Sequence, residues 1–139
     1  MSTLIRLKKI LVESSPTQSL RDILLNKKWA RLGDTYVNFI YSLAYSAKFR
    51  ELSGLRVRSD TLAEALRRTG LRDILPGRMN RYELGNAAEA LIIYGWASGS
   101  ISEEDCINIL KKQVEDPVEA FTSLLTEISK RLGAQFNVK

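Results

Sequence analysis

The chain has 139 residues, 45% of them hydrophobic and 27% charged, which fits one globular domain able to bury a real core. It has no histidine and one cysteine, Cys106, which excludes Ser-His-Asp and Cys-His catalysis, His-ligated metals, internal disulfides and Cys-based zinc sites. The net charge of +5 concentrates in residues 48–81, with nine basic against four acidic side chains; this suits a polyanion such as nucleic acid, or is only a soluble surface with a basic bias.

Apolar residues at 4, 5, 7, 10, 11 and 12, with Arg6, Lys8 and Lys9 between them, predict a short amphipathic helix over Leu4–Val12. Glu13-Ser14-Ser15-Pro16-Thr17 breaks it, and Ser19 caps a second helix from Leu20 to about Asn26. Trp29–Tyr45 is the organising helix. Its Trp29, Leu32, Gly33, Tyr36, Val37, Phe39, Ile40, Leu43 and Ala44 fall on one broad apolar arc. Ser53-Gly54 marks a turn. Ser59 or Asp60 then caps a helix through Arg68, with Thr61 and Glu64 spaced as a capping box, and Gly70 stops it. Beyond the Pro76-Gly77 break, a helix from Asn80 to about Ala97 is apolar on nearly every side and is therefore central. Ser102, with Asp105 three residues on, opens a helix to about Val114, and Pro117 begins a last one to about Arg131. No segment alternates at period two for long enough to make a strand. The expectation is a single all-α domain over residues 1–139 with about seven helices. No run approaches the ~20 apolar residues that span a bilayer, so a soluble, cytoplasmic protein is expected.

Two acids stand out. Asp34 is the only carboxylate between Asp22 and Glu51, on a stripe with Asn38, Tyr41 and Tyr45. Glu89 is the only charged residue from Leu84 to Ser102, and Asn86, three residues earlier, shares its face. A buried, unpaired carboxylate is costly, so each needs a cation, hydrogen bonds or a proton. Two lone acids on central helices suit a hard divalent cation held by oxygen atoms. Internal ion pairs with Arg31, Arg78 or Arg81 would answer the same need.

Three segments occur in order and register: Leu32-Gly33-Asp34 within an apolar helix, the run from Arg56 to Glu64 followed by Gly70-Leu71 and Leu75, and Asn86-Ala87-Ala88-Glu89-Ala90-Leu91-Ile92. Together, from about Leu20 to Trp96, they resemble the ribonuclease III endonuclease domain. The resemblance implies that family's helical fold and a Mg²⁺- or Mn²⁺-dependent endoribonuclease of structured or double-stranded RNA. It also implies a homodimer that sets two sites along one valley. Asp34 and Glu89 would be the catalytic metal ligands, with Asn86 a weak third, and Arg56, Arg58, Arg67 and Arg68 would face RNA. The exposed aromatics expected at Tyr41 and Tyr45 would serve the dimer interface or cover core. The acidic C-terminal helices, in place of a basic αβ module, are similar to the short branch, the mini-ribonucleases III.

The departures from the family are specific. Its signature helix carries acids four and seven residues before the aspartate, where Ala30 and Lys27 stand here. Asn86 replaces an aspartate, and Glu64 aligns with an acid near the RNA-processing centre or is only a capping-box glutamate. Two carboxylates and an amide offer less negative charge than two cations ask for; one ion can still bind, with Asn86 lending its carbonyl oxygen, and the sequence leaves open whether one or two do. The alternative is a degenerate member that keeps the fold and an RNA-binding or assembly role without cleavage. A third reading is an all-α protein-interaction module with an internal ion pair.

Overall fold

Residues 2–136 are described by a computed structural model of the chain; Met1 and residues 137–139, the ends of the expected domain, lie outside them. The described residues form seven α-helices and one 3₁₀ turn, with no strand: α1 (Thr3–Ser14), α2 (Leu20–Leu24), α3 (Lys27–Phe49), α4 (Ser59–Arg68), the 3₁₀ turn (Leu71–Ile74), α5 (Arg81–Ala97), α6 (Glu103–Lys112) and α7 (Pro117–Phe136). None is long and apolar enough to cross a membrane.

Helix α5 has no polar face, and the fold gives it none to expose. From Leu84 to Ala97 only Asn86 and Trp96 escape full burial. Helices α3 and α4 pack on it most extensively, and α7, α2 and α1 complete its surroundings. Its start is fixed by a reciprocal capping box: the Asn80 side chain accepts the Glu83 N–H at 2.8 Å, and the Glu83 carboxylate accepts the Asn80 N–H at 3.0 Å. Asn80 is thus the cap, one residue outside the helix.

Helix α3 crosses α5 at Gly33. A Cβ there would sit 2.6 Å from the Glu89 carbonyl carbon, so only glycine lets the two backbones meet this closely. The helix is longer than expected at both ends. The Asn26 side chain caps it by accepting the Trp29 N–H at 2.9 Å, which draws Lys27 and Lys28 into its first turn. At the other end Arg50 turns left-handed, at φ 54°, and directs the chain into an extended segment.

Two sequence expectations are corrected. Helix α4 begins at Ser59 with Arg58 at the cap position and no side-chain cap bond, so neither Ser59 nor Asp60 caps it. The Thr61–Glu64 box does not form there; the Glu64 carboxylate instead accepts from Arg67 and Arg68. Tyr41 and Tyr45 are not exposed. Tyr41 is buried, donates its hydroxyl to the Val114 carbonyl at 3.0 Å and packs on Phe121, while Tyr45 is half-buried between Tyr41 and Phe49. The outward apolar residues of α3 are Leu32, Phe39, Leu43 and Phe49.

Candidate functional site

The α3–α5 crossing brings Asp34 beside Glu89. Asp34, Asn86 and Glu89 share one open cleft of about 430 Å³ with the cations Lys27, Arg31 and Arg56. Asp34 lies on the exposed side of α3, and Glu89 is the one buried charged side chain among the described residues, with 8% of its surface accessible. Burial pushes the Glu89 carboxyl up to about 8; the Asp34 carboxyl, as hydrogen-bond partner and like charge, adds to the rise, and the Arg56 charge opposes it. Neither acid forms an ion pair with a described Lys or Arg, so the expected pairing with Arg31, Arg78 or Arg81 is not what compensates them. Two facing carboxyls, one of them buried, have two stable states: one shares a proton, the other takes up a cation. No third His, Cys, Asp or Glu completes a metal-binding cluster among the described residues. Glu83 lines the cleft, but its carboxylate is engaged in the α5 cap.

Arg56 reaches the cleft through a side-chain ladder. Asn38, Ser42 and Ser46 stand at successive turns of α3, and each bonds the backbone of every second residue of the extended segment 53–57. The Asn38 Oδ1 accepts the Val57 N–H at 2.7 Å. The Ser42 hydroxyl accepts the Leu55 N–H at 2.8 Å and donates to its carbonyl at 3.2 Å, and Ser46 does the same with Ser53 at 2.9 and 3.2 Å. Four helical residues rise about 6.0 Å and two extended residues about 6.6 Å, close enough for three rungs to stay in register. The helix therefore acts as a neighbouring strand would. Residues 53, 55 and 57 turn inward, and Leu52, Gly54, Arg56 and Arg58 stay exposed. Asn38 also donates to the Asp34 carbonyl at 2.9 Å, so one amide ties the acid's own backbone to the extended segment that carries Arg56. Asn38→Ala should cost about 1–2 kcal/mol in denaturant unfolding, because the Val57 N–H loses its partner. An unchanged midpoint would remove the ladder's importance.

The other predicted residues fall elsewhere. Arg58 points outward and grips Asp60 through two bonds of 3.0 Å. Arg67 and Arg68 lie on α4, tied to Glu64, and Arg68 also reaches Glu119 of α7. None of the three lines the cleft. Sequence reasoning missed Lys27 and Arg31 as its cationic wall. Their signal was the first turn of α3, which carries no acid.

A family model described as Ribonuclease III matches residues 27–138, from the first residue of α3 through α7, and the chain belongs to the ribonuclease III family. No curated protein matches the chain.

Proposed function

We propose that this chain is a divalent-cation-dependent endoribonuclease that hydrolyses phosphodiester bonds of structured or double-stranded RNA. The observation that carries this reading is the Asp34–Glu89 pair, set in an open cleft with no protein cation bridging it. The donor set fits Mg²⁺ or Mn²⁺ by its chemistry: two facing carboxyls and the Asn86 amide oxygen, all hard oxygen donors, lining one cleft. Bound there, the ion supplies a more acidic water and positive charge for the phosphate. Asp34 and Glu89 would hold it, with Glu89 in its ionised form. Arg31 and Arg56 bind the phosphate oxygens and orient the phosphorus toward the carboxyls. In hydrolysis the water oxygen bonds to phosphorus and one P–O ester bond breaks; the water loses a proton to solvent, and the leaving oxygen gains one.

The test is incubation of perfectly paired RNA with the protein and Mg²⁺ or Mn²⁺, read on a denaturing gel. Cleavage that depends on the ion, and that disappears with EDTA, is expected. A second reading, a family member that binds RNA or assembles without cutting, is favoured by one observation: Glu83, the third carboxylate lining the cleft, is engaged in the α5 cap and leaves Asp34 and Glu89 as the acids free to hold an ion. It predicts RNA retention with no product.

Double-stranded RNA is held mainly through phosphates and 2′-hydroxyls, so binding should weaken linearly in log[salt]. Arg56→Ala should flatten that slope by about one, whereas Arg58→Ala, whose charge Asp60 already meets, should change it less. Equal effects of the two substitutions would dissociate the cleft from RNA binding.

Homodimerisation belongs to the same proposal, through a different face from the one expected. Phe39 and Leu43 of α3 and the almost fully exposed Leu52 (98%) border a groove that also contains Arg56, so a second copy seated there would place two clefts along one surface. Sedimentation should report a dimer that Leu52→Asp dissociates; a wild-type monomer at tens of micromolar would contradict it. The buried thiol of Cys106 and the absence of other cysteines suit a reducing cytoplasm.

A further inference from the structure

Lys27 stands in the cleft unpaired. Among the described residues it forms no ion pair, and nothing acidic shares the first turn of α3 with it. A cation at this end of a helix faces the positive end of the macrodipole and is disfavoured there. Its backbone is nonetheless firmly held. The neighbouring Asn26 caps the helix and donates to the Ser15 hydroxyl at 3.1 Å, and the Trp29 indole N–H donates to the Ser15 carbonyl at 2.9 Å. The linker between α1 and α2 thus anchors the residues on both sides of Lys27. Arg31, one turn on, and Arg56 line the same cleft, so three cations surround one carboxylate pair. The anion that complements such a wall is a phosphate diester, lying between the ammonium and whatever ion the carboxyls hold.

The charge count points the same way. Asp34 and Glu89 can neutralise one divalent ion, and a second would find no further carboxylate among the described cleft residues except Glu83, which is used in the cap. We infer that Lys27 is the phosphate-binding cation that supplies the positive charge a second metal ion would otherwise bring, so that the site works with one divalent ion per chain. This rests on the endoribonuclease reading. The ammonium is a compact point charge with three donors, suited to a non-bridging oxygen whose charge grows as the phosphorus becomes five-coordinate.

Calorimetric titration of the full chain with Mn²⁺ counts the ions directly, and binding of paired RNA in Ca²⁺ provides a readout independent of turnover. Wild type should bind one Mn²⁺ per chain. Lys27→Glu should bind a second, because it adds a carboxylate to the pair. Lys27→Met should still bind one, with a flattened RNA salt slope and cleavage reduced about a hundredfold or more. Lys27→Arg should recover RNA binding and part of the cleavage. Lys27 is exposed, so all three variants should melt close to wild type. Two ions bound by wild type, or a Lys27→Met variant with unchanged salt slope and cleavage, would overturn this role while leaving the endoribonuclease intact. A wild-type chain that binds no Mn²⁺ and cuts no RNA would overturn the enzyme reading itself, and this inference with it.

Discussion

Gly33→Ala should lower the melting temperature by ~10 °C and abolish cleavage. The added methyl would meet the Glu89 carbonyl carbon at 2.6 Å and the Glu89 Cβ at 3.1 Å. The first of these is main chain inside a buried helix, and it has no rotamer to change. Helices α3 and α5 must therefore move apart along the largest contact in the fold. Overpacking of this kind costs about 3 kcal/mol, even after the gain of up to ~1 kcal/mol from replacing a glycine in a helix. For a chain of this length that corresponds to ~10 °C. The same movement separates Asp34, the next residue, from Glu89, so catalysis fails even where the protein is folded. Gly133→Ala in α7 is the control: a Cβ there meets nothing within 4 Å, so the helix gain is expected alone. If Gly33→Ala melted within a degree or two of wild type, the close crossing would not be what builds the site.

The second large effect concerns the acids. Asp34→Asn and Glu89→Gln should each reduce cleavage by about a thousandfold, since each removes one of the two negative charges available to an ion. Their effects on stability should differ. The Glu89 carboxyl lies near 8 in the folded protein against an ordinary 4.5, so between these values the folded state binds the extra proton. Stability should therefore be fullest below pH 4.5 as far as this group is concerned. It should decline as pH rises, and the contribution should be lost once pH passes about 8. Without divalent ions, Glu89→Gln should lack this decline and melt above wild type at pH 8.5. Saturating Mg²⁺ should raise the wild-type melting temperature at that pH and leave the variant nearly unmoved. A wild-type protein whose stability rises between pH 5 and 8, with Glu89→Gln following the same curve, would place Glu89 in a different environment.

Much of this architecture is legible in the residues, unevenly. The position of α5 follows from its composition alone: a helix with no polar face has only the centre to occupy. The meeting of Asp34 and Glu89 follows from two isolated acids within apolar helices, together with the Gly33 that allows those helices to touch. The arc on α3 was read less well. Periodicity marks Leu32, Phe39 and Leu43 as apolar, yet they face outward, because apolar residues are also common on protein surfaces and hydropathy alone does not say which of them the core covers. The caps illustrate a local ambiguity. Ser59 and Asp60 both have capping side chains, but α4 starts at Ser59 with Arg58 at the cap position, once the ladder has fixed the extended segment before it. The ladder left no signature in hydropathy. It depends on Asn38, Ser42 and Ser46 matching alternate residues of a segment without regular structure of its own. Lys27 was visible in the sequence only as a lost acid; its place in the cleft shows it as an added cation.

The most direct test of the central claim, that Asp34 and Glu89 together hold a divalent ion, is proton release on ion binding. Mg²⁺ or Mn²⁺ is titrated into the RNA-free protein at pH 6.5 in buffers of different ionisation enthalpy. Because Glu89 is protonated there and must ionise to become a ligand, about one proton should leave per ion bound. Release should fall toward zero above pH 9 and in Glu89→Gln. Binding without proton release at pH 6.5, or equal release from wild type and Glu89→Gln, would contradict the account.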